Sequence, residues 1–571
     1  MKNRAITAMF NDIADMLEIK AESPYRITAY RRAARSLEGL TEDIAAVAER
    51  GKLEEIPGVG KSTAERILEF LKTGTCAYYE ELRKQLPAGI TTLMTVSEVG
   101  PKTAMLLHEK LGIESIEELE QAARKGLVRD LPRMGAKTEE NILKGIALLR
   151  RSKERLPIGA VLPLSREIVD TLRGLTAVKQ ISVAGSLRRM RETIGDIDIL
   201  VTSSQPEKVM EVFTTMPRVR QVLAKGPTRS SVILDTGIQA DVRVVEPDAF
   251  GAALQYFTGS KEHNVKVREK AVRRGLKVNE YGVFRVKDDR RTAGKTEEEV
   301  YQAVGLPWIP PEIREDQGEI ELADRGALPR LVDLKDIRGD LQMHTRWSDG
   351  SDSLEAMAKA ARELGYEYIA ITDHSQSLKF VGGVPIDEVR DHVKIAKRAS
   401  DKAGITVLMG TECDILPDGR LDYPDEVLKE LDVVVASVHS RMRMAEEEMT
   451  ARIVKALDNP HVDILGHPTG RRLGLRDAYA VNIERLIEAA ERTNTALEIN
   501  ASPQRLDLND MHARMARERG VPLVISTDAH NRYQLSYMEY GVAIARRAWL
   551  EPKHVINTLP LKEFISWLHE R

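Results

Sequence analysis

Two aspartates separated by one residue form the first candidate site of this 571-residue chain. They are Asp196 and Asp198 in the run GDIDILV, whose β-branched residues predict a strand. Side chains two positions apart leave the same face of a strand, so the two carboxylates should lie side by side. Like charges held together need a cation, and Mg²⁺ prefers carboxylate and phosphate oxygens. Together with Asp241, in the neighbouring strand-like run QADVRVV, they predict a magnesium centre.

A turn of small residues precedes this pair. Gly185 and Ser186 would supply accessible backbone and a hydroxyl group, and Arg188 and Arg189 follow with guanidinium groups. Such groups suit the oxygens of a triphosphate. A Gly-Ser turn followed ten residues later by Asp-x-Asp, and then by an aspartate on another strand, is typical of nucleotidyl transfer.

A second set of candidate ligands follows strand-like runs in the C-terminal half, which holds ten of the 12 histidines. Barrel active sites form where the strands end, so these side chains should meet. Imidazole and carboxylate ligands together suit Zn²⁺, Mn²⁺ or Fe²⁺, and a bridging Glu412 would permit more than one ion. The candidates are His344, Asp349, His374, Glu412, His439, His467, Asp528 and His530.

The helical first part contains three similar segments, residues 53–67, 93–107 and 128–142. They resemble helix-hairpin-helix elements, whose glycines let backbone amides at a helix N-terminus face a phosphate. An ordinary helical packing motif is the alternative, and we favour it for the third segment, which keeps only Gly135. The candidate DNA contacts are Arg26, Arg31, Gly58, Gly60, Lys61 and Gly100.

The elements that would position these residues divide the chain into several units. The first 150 residues read as helices, and short β-rich runs between helices from about Ile181 predict an α+β unit. Beyond a proline-rich stretch, seven strand-like runs alternate with helices, which predicts a parallel (β/α)7 barrel. The expected units are residues 1–85 and 86–150, both helical, then 151–318, a linker at 319–334, and the barrel at 335–571.

Composition excludes several classes of protein. Hydrophobic residues make up 42% and charged residues 30%, which is typical of a folded chain. No run has the 18 apolar residues of a membrane span, the first residues lack a signal-peptide pattern, and two cysteines cannot build a disulfide framework. Residues 1–320 carry 51 Lys and Arg against 47 Asp and Glu, and residues 321–571 carry 34 against 41. We expect a cytoplasmic monomer that has no membrane partner.

Residues 1 to about 318 resemble a family X DNA polymerase of the polymerase beta type. The resemblance lies in the hairpin at 53–67, the Gly-Ser turn with GDIDIL, and YFTGSKEHN at 256–264. It implies a helix-hairpin-helix domain, a fingers-like domain, and a nucleotidyltransferase palm and thumb. The substrates would be gapped or primer–template DNA and deoxynucleoside triphosphates.

The same resemblance implies roles for single residues. Asp196, Asp198 and Asp241 would hold two Mg²⁺ ions, and Asp241 would help to deprotonate the primer hydroxyl. Lys261 replaces an acidic residue of the relatives, so contacts on the base side should differ. The nucleotide contacts would be Ser186, Arg189 and Gly195 on the triphosphate, Tyr256, Phe257 and Gly259 on the sugar, and Asn264 with Lys261 near the base.

One activity of such polymerases should be weak or absent here. They remove 5′-deoxyribose phosphate through a Schiff-base lysine that follows the first hairpin, and the matching position holds Arg66. An arginine stays protonated and cannot act as an amine nucleophile.

Residues from about 333 to 571 resemble the polymerase and histidinol phosphatase (PHP) domain. The resemblance implies up to three ions, Mn²⁺ or Zn²⁺, that activate water for phosphoester hydrolysis. It would group His344, Glu412 and Asp528 at one ion, Glu412, His439 and His467 at a second, and Asp349, His374 and His530 at a third. The family pattern has a histidine where this chain has Gln342, which offers only a neutral amide oxygen.

Together these features predict a gap-filling polymerase of base excision repair with a 3′–5′ exonuclease, and an endonuclease activity at abasic sites. Two alternatives stay open at this stage. One is a nucleotidyltransferase–phosphatase that acts on RNA or small molecules. The other is a DNA-binding scaffold whose C-terminal domain is inactive.

Overall fold

The computed structural model describes residues 2–570 except 21, 39–43, 57, 86, 88, 95, 97–98 and 133. Its fold class is the one that the sequence predicts. Helices occupy the first part, an α+β region follows, and a seven-stranded parallel sheet forms the C-terminal part.

The N-terminal helices bury their side chains in two apolar clusters, one from Ile6 to Leu82 and one from Ile90 to Ile146. The two clusters divide the described helices between Leu82 and Ile90. The helices are α1 (Lys2–Ile19), α2 (Pro24–Glu38), α3 (Ile44–Glu49), α4 (Lys61–Thr73), α5 (Ala77–Lys84), α6 (Ile90–Leu93), α7 (Pro101–Leu111), α8 (Ile116–Arg124) and α9 (Ala136–Glu154).

A five-stranded sheet carries the predicted carboxylates. Its strand order is β2-β4-β7-β6-β5, in which β4 and β7 are parallel and the other neighbours antiparallel. The elements are β1 (Leu156–Pro157), α10 (Ile158–Arg173), β2 (Val178–Val183), α11 (Gly185–Arg188), β3 (Thr193–Ile194), β4 (Asp196–Ser203), α12 (Pro206–Thr214), β5 (Val219–Lys225), β6 (Arg229–Leu234) and β7 (Gln239–Val244).

The next unit packs helices around a small antiparallel sheet of order β10-β9-β8. Its elements are α13 (Phe250–Thr258), α14 (Lys261–Arg273), β8 (Leu276–Asn279), β9 (Gly282–Arg285), β10 (Arg291–Ala293), α15 (Glu297–Ala303) and α16 (Glu319–Asp324). Helix α16 lies within the segment expected to be a linker, residues 319–334. Its Ile320 and Ala323 pack into the apolar cluster of this unit, so the segment adds to the core.

The C-terminal strands pair in chain order, and every pair is parallel. A parallel bridge between Met343 and Ala529 joins the two ends of the sheet and closes the barrel. The elements are β11 (Gly339–Asp340), α17 (Leu354–Glu363), β12 (Tyr368–Ile371), α18 (Ile386–Ala403), β13 (Thr406–Asp414), α19 (Asp425–Leu428), β14 (Val433–Ser437), α20 (Glu446–Leu457), β15 (Ile464–Leu465), α21 (Ile483–Thr493), β16 (Ala496–Asn500), α22 (Asp510–Glu518), β17 (Leu523–Ser526), α23 (Met538–Arg547) and α24 (Leu561–His569).

The apolar core of the five-stranded sheet continues into that of the barrel, so the two domains are packed together. Among the residues described, no helix is long and apolar enough to span a membrane.

Candidate active sites

Three aspartates meet at one edge of the five-stranded sheet. Asp198 on β4 and Asp241 on β7 are register partners, and Asp196 lies two residues earlier on the same face of β4. Each carboxylate offers an oxygen, and the three oxygens lie within 4.8 Å of one another. Parallel pairing of β4 and β7 therefore brings together the ligands that the sequence predicts.

The electrostatics of this cluster favour a cation. Burial, together with the neighbouring carboxylates Asp196 and Asp241, raises the pKa of Asp198 to about 6. A guanidinium nitrogen of Arg229 lies 3.9 Å from an oxygen of Asp241 and compensates only part of the charge. Oxygen ligands with excess negative charge are those that Mg²⁺ binds, so the donor set fits this ion.

Two further residues orient Asp241, and the sequence analysis missed both. The Ser231 hydroxyl donates a hydrogen bond to Oδ1 of Asp241, and Nε2 of Gln239 donates to Oδ2 at 2.8 Å. Ser231 lies opposite Asp241 in the β6–β7 register. The contact of Ser231 with Asp241 depends on that register, so local sequence carries no signal for it.

The predicted Gly-Ser turn lies directly against the carboxylates. Gly185 has a φ of +62°, and a Cβ atom there would lie 2.8 Å from Oδ2 of Asp198. The buried hydroxyl of Ser186 has no hydrogen-bond partner among the described residues. The turn thus gives the carboxylate room and leaves a hydroxyl group for a ligand.

The two arginines of this segment have protein partners in the structure. Arg188 forms a bidentate ion pair with Glu297, in which Nη1 donates to Oε1 at 2.7 Å and Nη2 donates to Oε2 at 2.6 Å. Nε of Arg189 donates to Glu315 at 3.1 Å, and its Nη1 donates to the carbonyl of Thr258. Arg189 therefore ties the Gly-Ser turn to the end of α13, and it must exchange partners to bind a triphosphate.

The YFTGSKEHN segment forms the end of α13 and the start of α14. Tyr256 and Phe257 are half-buried, and their rings meet edge to face at 5.1 Å. Nδ2 of Asn264 donates to the Tyr256 carbonyl at 2.7 Å, and its Oδ1 accepts from Gln255 at 2.7 Å. Both ends of the Asn264 amide thus hold the two helices together, and Lys261 is exposed at the start of α14.

Two glycines of the expected nucleotide site adjoin arginines. A Cβ atom on Gly259 would lie 3.1 Å from Nη1 of Arg189, and one on Gly195 would lie 3.0 Å from Nη1 of Arg155. Their lack of a side chain keeps both guanidinium groups close to the backbone.

Glu412 is the centre of the second site, at the end of the barrel where the strands finish. Its Oε1 lies 2.8 Å from Nε2 of His467 and 3.2 Å from Nε2 of His439. Its Oε2 lies 3.1 Å from Nδ1 of His374 and 3.4 Å from Nε2 of His344. The carboxylate faces imidazoles on both sides, which is the arrangement of a bridging ligand.

The other seven predicted barrel ligands lie around the Glu412 carboxylate, and most of the set falls into overlapping groups. Three groups have donor atoms within 4.8 Å of one another: His344, Glu412 and Asp528; His374, Glu412 and His439; and His344, Asp349, His374 and His530. The first group is the expected one. In the second, His374 takes the place expected for His467, and in the third, His344 joins the expected three.

Two of these carboxylates, Glu412 and Asp528, are held in their ionised form. Burial raises the pKa of Glu412, but His439 and His374 outweigh it and hold that pKa well below its ordinary value. Burial acts on Asp528 in the same way, and the hydrogen bond to His344 and the Arg505 charge keep its pKa low. Ionised carboxylates among imidazoles fit Zn²⁺ or Mn²⁺, so the donor set agrees with a metal centre.

Three supporting residues of this site were missed. Asp414 lies 3.3 Å from Nδ1 of His439, Arg505 lies 3.2 Å from Asp528, and Nδ2 of Asn500 donates to Asp528 at 3.1 Å. Asp414 follows Glu412 by two residues on β13, so the alternation that paired Asp196 with Asp198 also indicates this pair.

Gln342 lies inside the barrel and is fully buried. Neither Oε1 nor Nε2 of its amide has a hydrogen-bond partner among the described residues. The backbone amide of Asp528 donates to the Gln342 carbonyl at 3.0 Å. A buried polar group without a partner is costly, so the amide is placed to meet an ion or a water molecule.

The expected DNA contacts of the N-terminal region fall into two groups. Gly60 and Gly100 directly precede α4 and α7, and Lys61 is exposed at the start of α4, so these positions can face a phosphate. The arginines are engaged locally. Arg26 donates to Glu22 at 2.9 Å and to the Tyr78 hydroxyl at 2.8 Å, and Arg31 pairs with Asp15 and Glu18 at 2.9 Å.

Gly58 adopts a φ of +78°, and a Cβ atom there would lie 3.1 Å from the backbone of Arg32. This hairpin position therefore requires glycine for both conformation and space.

Arg66 occupies an aromatic environment. Its guanidinium carbon lies 4.1 Å from the ring centre of Tyr78 and 5.4 Å from that of Tyr30. It also donates to the backbone carbonyl of Ser62 at 3.2 Å. A stacked guanidinium is a cation at this position and supplies no amine nucleophile.

Comparison with known proteins gives matches along most of the chain. The family models that match are a helix-hairpin-helix domain at residues 1–76, a SAM-like helix-hairpin-helix tandem at 90–147, a DNA polymerase beta thumb at 253–315 and a PHP domain at 340–502. The DNA polymerase/3′-5′ exonuclease PolX of Bacillus subtilis is 40% identical over 571 residues, which is 100% of this chain and 99% of that protein.

Further relatives match a part of the chain. A probable phosphatase of Caldanaerobacter subterraneus is 28% identical over 39% of this chain and 88% of its own length. A probable phosphatase of Clostridium novyi is 29% identical over 41% of this chain and 94% of its own length.

Proposed function

The chain belongs to the family of the DNA polymerase/3′-5′ exonuclease PolX, and we propose that it extends DNA primers and shortens DNA 3′ ends at two separate centres. The observation that carries this proposal is the presence of two independent donor sets. Three aspartates form one on the five-stranded sheet, and histidines and acids around Glu412 form the other in the barrel. The described members of the two sets are different residues on different sheets.

In the extension reaction, Asp196, Asp198 and Asp241 would hold Mg²⁺ ions, which when bound neutralise the triphosphate and favour ionisation of the primer hydroxyl. Ser231 and Gln239 fix the orientation of Asp241, so that its carboxylate can take up the proton of the hydroxyl. The hydroxyl of Ser186 is placed to donate to a phosphate oxygen.

Sugar selection would fall to the end of α13. The half-buried ring of Tyr256, backed by Phe257, would lie against the sugar and exclude a 2′-hydroxyl. Asn264 would act here by holding the Tyr256 carbonyl, and Lys261 would face the base side.

In the shortening reaction, the barrel ligands would hold up to three Mn²⁺ or Zn²⁺ ions, which when bound activate water and stabilise the departing oxygen. Asp414 orients the His439 imidazole, and Glu412 faces imidazoles on two sides. Arg505, beside Asp528 and partly exposed, is placed to contact a phosphate.

The biological setting follows from these activities. Short gaps in DNA are the substrate that suits an enzyme able both to fill and to trim, so we assign it to base excision repair, with cleavage at abasic sites as a further activity of the barrel. We place it in the cytoplasm, beside the DNA, as a monomer.

One experiment tests the proposal. A 5′-labelled DNA primer in a gapped duplex is incubated with the full-length protein and Mg²⁺ or Mn²⁺, with and without deoxynucleoside triphosphates. We expect longer products with the triphosphates and shorter ones without them. A second arm replaces the DNA primer by an RNA primer, and extension of RNA but not of DNA would instead support a nucleotidyltransferase that acts on RNA. No shortening with either metal would mean an inactive barrel.

A further inference from the structure

Two adjoining depressions cross the face between the N-terminal helices, the five-stranded sheet and the barrel. They enclose about 870 and 510 Å³ and share Arg476, Asp477 and Ala478, so they form one continuous feature, which we call the arginine cleft. A cavity of roughly 300–1,000 Å³ holds one small ligand, comparable in size to a nucleotide. Each depression therefore has room for about one nucleotide of a single strand.

The first depression lies between α9 and the loop after β14. Its cationic lining residues are Lys137, Arg441, Arg443 and Arg476. Arg441 and Arg443 are exposed and follow His439, a candidate metal ligand, by two and four residues. This part of the cleft is therefore lined by the loop that follows His439.

The second depression lies between the barrel and the start of the five-stranded sheet. Its cationic lining residues are Arg155, Arg471, Arg472 and Arg476. Arg471 and Arg472 follow His467 in the loop that leaves the barrel site. At the other side, Arg155 donates to the Thr193 hydroxyl at 3.1 Å and lies beside Gly195, which precedes Asp196. This end of the cleft is therefore lined by Glu192 and Thr193, in the segment that leads into β4 and its carboxylates.

The charge of the cleft is opposite to that of the domain around it. Seven Lys and Arg side chains line it, against the two carboxylates Glu192 and Asp477. Residues 321–571 as a whole carry 34 Lys and Arg against 41 Asp and Glu, yet five of the seven cations belong to this acidic part. Arg471 is paired with Glu192 at 2.7 Å and Lys137 with Glu140 at 3.0 Å, so part of this positive charge is already compensated within the protein.

We propose that the arginine cleft binds the phosphates of single-stranded DNA and leads a 3′ end between the sheet carboxylates and the barrel site. This inference rests on the proposed function, because it concerns the DNA on which both centres act. Lys137 belongs to the third of the similar helical segments, residues 128–142, for which we favoured a packing role. Because Lys137 lines the cleft, this segment would also contribute to DNA binding.

The test is equilibrium binding of a 5′-fluorescent oligo-dT to the full-length protein in a metal chelator, which prevents degradation. Affinity is measured by fluorescence anisotropy over a series of KCl concentrations. The cleft variant is Arg441→Ala/Arg443→Ala, and the matched control is Lys397→Ala/Arg398→Ala, two exposed cations on α18 of the same domain. All proteins are first checked by thermal unfolding.

Each phosphate contact on a single strand contributes roughly 0.7 to the slope of log affinity against log salt. Loss of two contacts should therefore reduce the slope by about 1.4 and weaken binding about tenfold at low salt, while the control keeps the wild-type slope. An unchanged slope and affinity in the cleft variant would overturn the proposal. If the wild type neither extends nor shortens DNA but shows the arginine-dependent slope, the proposed function fails and the cleft stands.

Discussion

Asp198 on β4 and Asp241 on β7 are register partners across two parallel strands. Gly185, which has no side chain, lies directly against Oδ2 of Asp198. The sheet centre is therefore assembled by strand pairing together with one turn that lacks a side chain. A side chain at the turn should disturb the carboxylate without disturbing the sheet.

Gly185→Ala tests this relationship. Its Cβ atom would lie 2.8 Å from Oδ2 of Asp198, so the carboxylate must move, and primer extension should fall at least tenfold. Gly237→Ala is the matched control, because Gly237 also has a positive φ, of +84°, but has no atom within 4 Å of a Cβ.

Both variants should lose stability by about 1 kcal/mol, since both force a left-handed backbone on alanine. Steady-state extension and thermal unfolding are measured together. Equal activity in the two variants would mean that the turn does not constrain Asp198.

The pKa of Asp198 predicts how metal binding depends on pH. Because burial and its neighbours raise this pKa to about 6, the carboxyl binds a proton below that pH in the metal-free protein. Ion affinity at the sheet centre should then rise by about tenfold per pH unit up to about pH 6 and level off above it. The folded pKa exceeds the ordinary value of 3.8, so metal-free stability should fall as the pH rises from about 4 to about 6.

The Mn²⁺ affinity is measured by calorimetric titration across this pH range. The protein is the variant His344→Ala, in which metal binding at the barrel site is reduced. Asp198→Asn in the same background should remove the inflection near pH 6. An inflection that survives this substitution would assign it to another group.

Arg66 predicts weak or absent 5′-deoxyribose phosphate lyase activity. Its guanidinium stacks on Tyr78 and cannot form a Schiff base. Borohydride reduction in the presence of a 5′-deoxyribose phosphate end should trap little covalent adduct in the wild type. A strong adduct that disappears in Lys61→Ala, but not in the control Lys72→Ala, would show that the hairpin lysine has taken over the role.

Gln342 predicts an exchangeable ion in the barrel. A neutral amide holds a borderline metal less firmly than an imidazole, so dialysis against a chelator should remove metal and stop shortening, and Mn²⁺ should restore it. Gln342→His should retain more metal after dialysis. Metal content is measured by mass spectrometry.

If Gln342→His leaves metal retention unchanged and Gln342→Ala lowers neither metal content nor shortening activity, the amide is not a ligand. The unpartnered Oε1 and Nε2 would then face water.

Sequence reasoning succeeded where one local pattern decides the structure. Alternation along a strand placed Asp196 beside Asp198. Seven strand-like runs alternating with helices predicted the parallel barrel, and the candidate ligands at the strand ends lie close to Glu412. The same alternation indicates that Asp414 lies on the face of β13 that carries Glu412, but the prediction did not include it.

The partners of Arg189 and Asn264 depended on contacts that no local pattern encodes. Arg189 donates a hydrogen bond to Glu315, which is distant in sequence, and Asn264 on α14 donates to the backbone carbonyl of Tyr256 on α13. Ser231 likewise meets Asp241 only because β6 and β7 pair in one register. The grouping of His374 with Glu412 and His439 depends on the pairing of neighbouring strand ends, where His374 and Glu412 form a parallel bridge, and spacing in the sequence does not give this pairing.

The presence of two independent centres is tested most directly on one gapped DNA with a 5′-labelled primer. The proteins are the wild type, Asp196→Asn/Asp198→Asn, Asp528→Asn, and the control Asp170→Asn, an exposed acid on α10. We expect the first variant to lose extension and keep shortening, Asp528→Asn to do the reverse, and the control to keep both. Loss of both activities in either variant, with normal thermal unfolding, would contradict two independent centres.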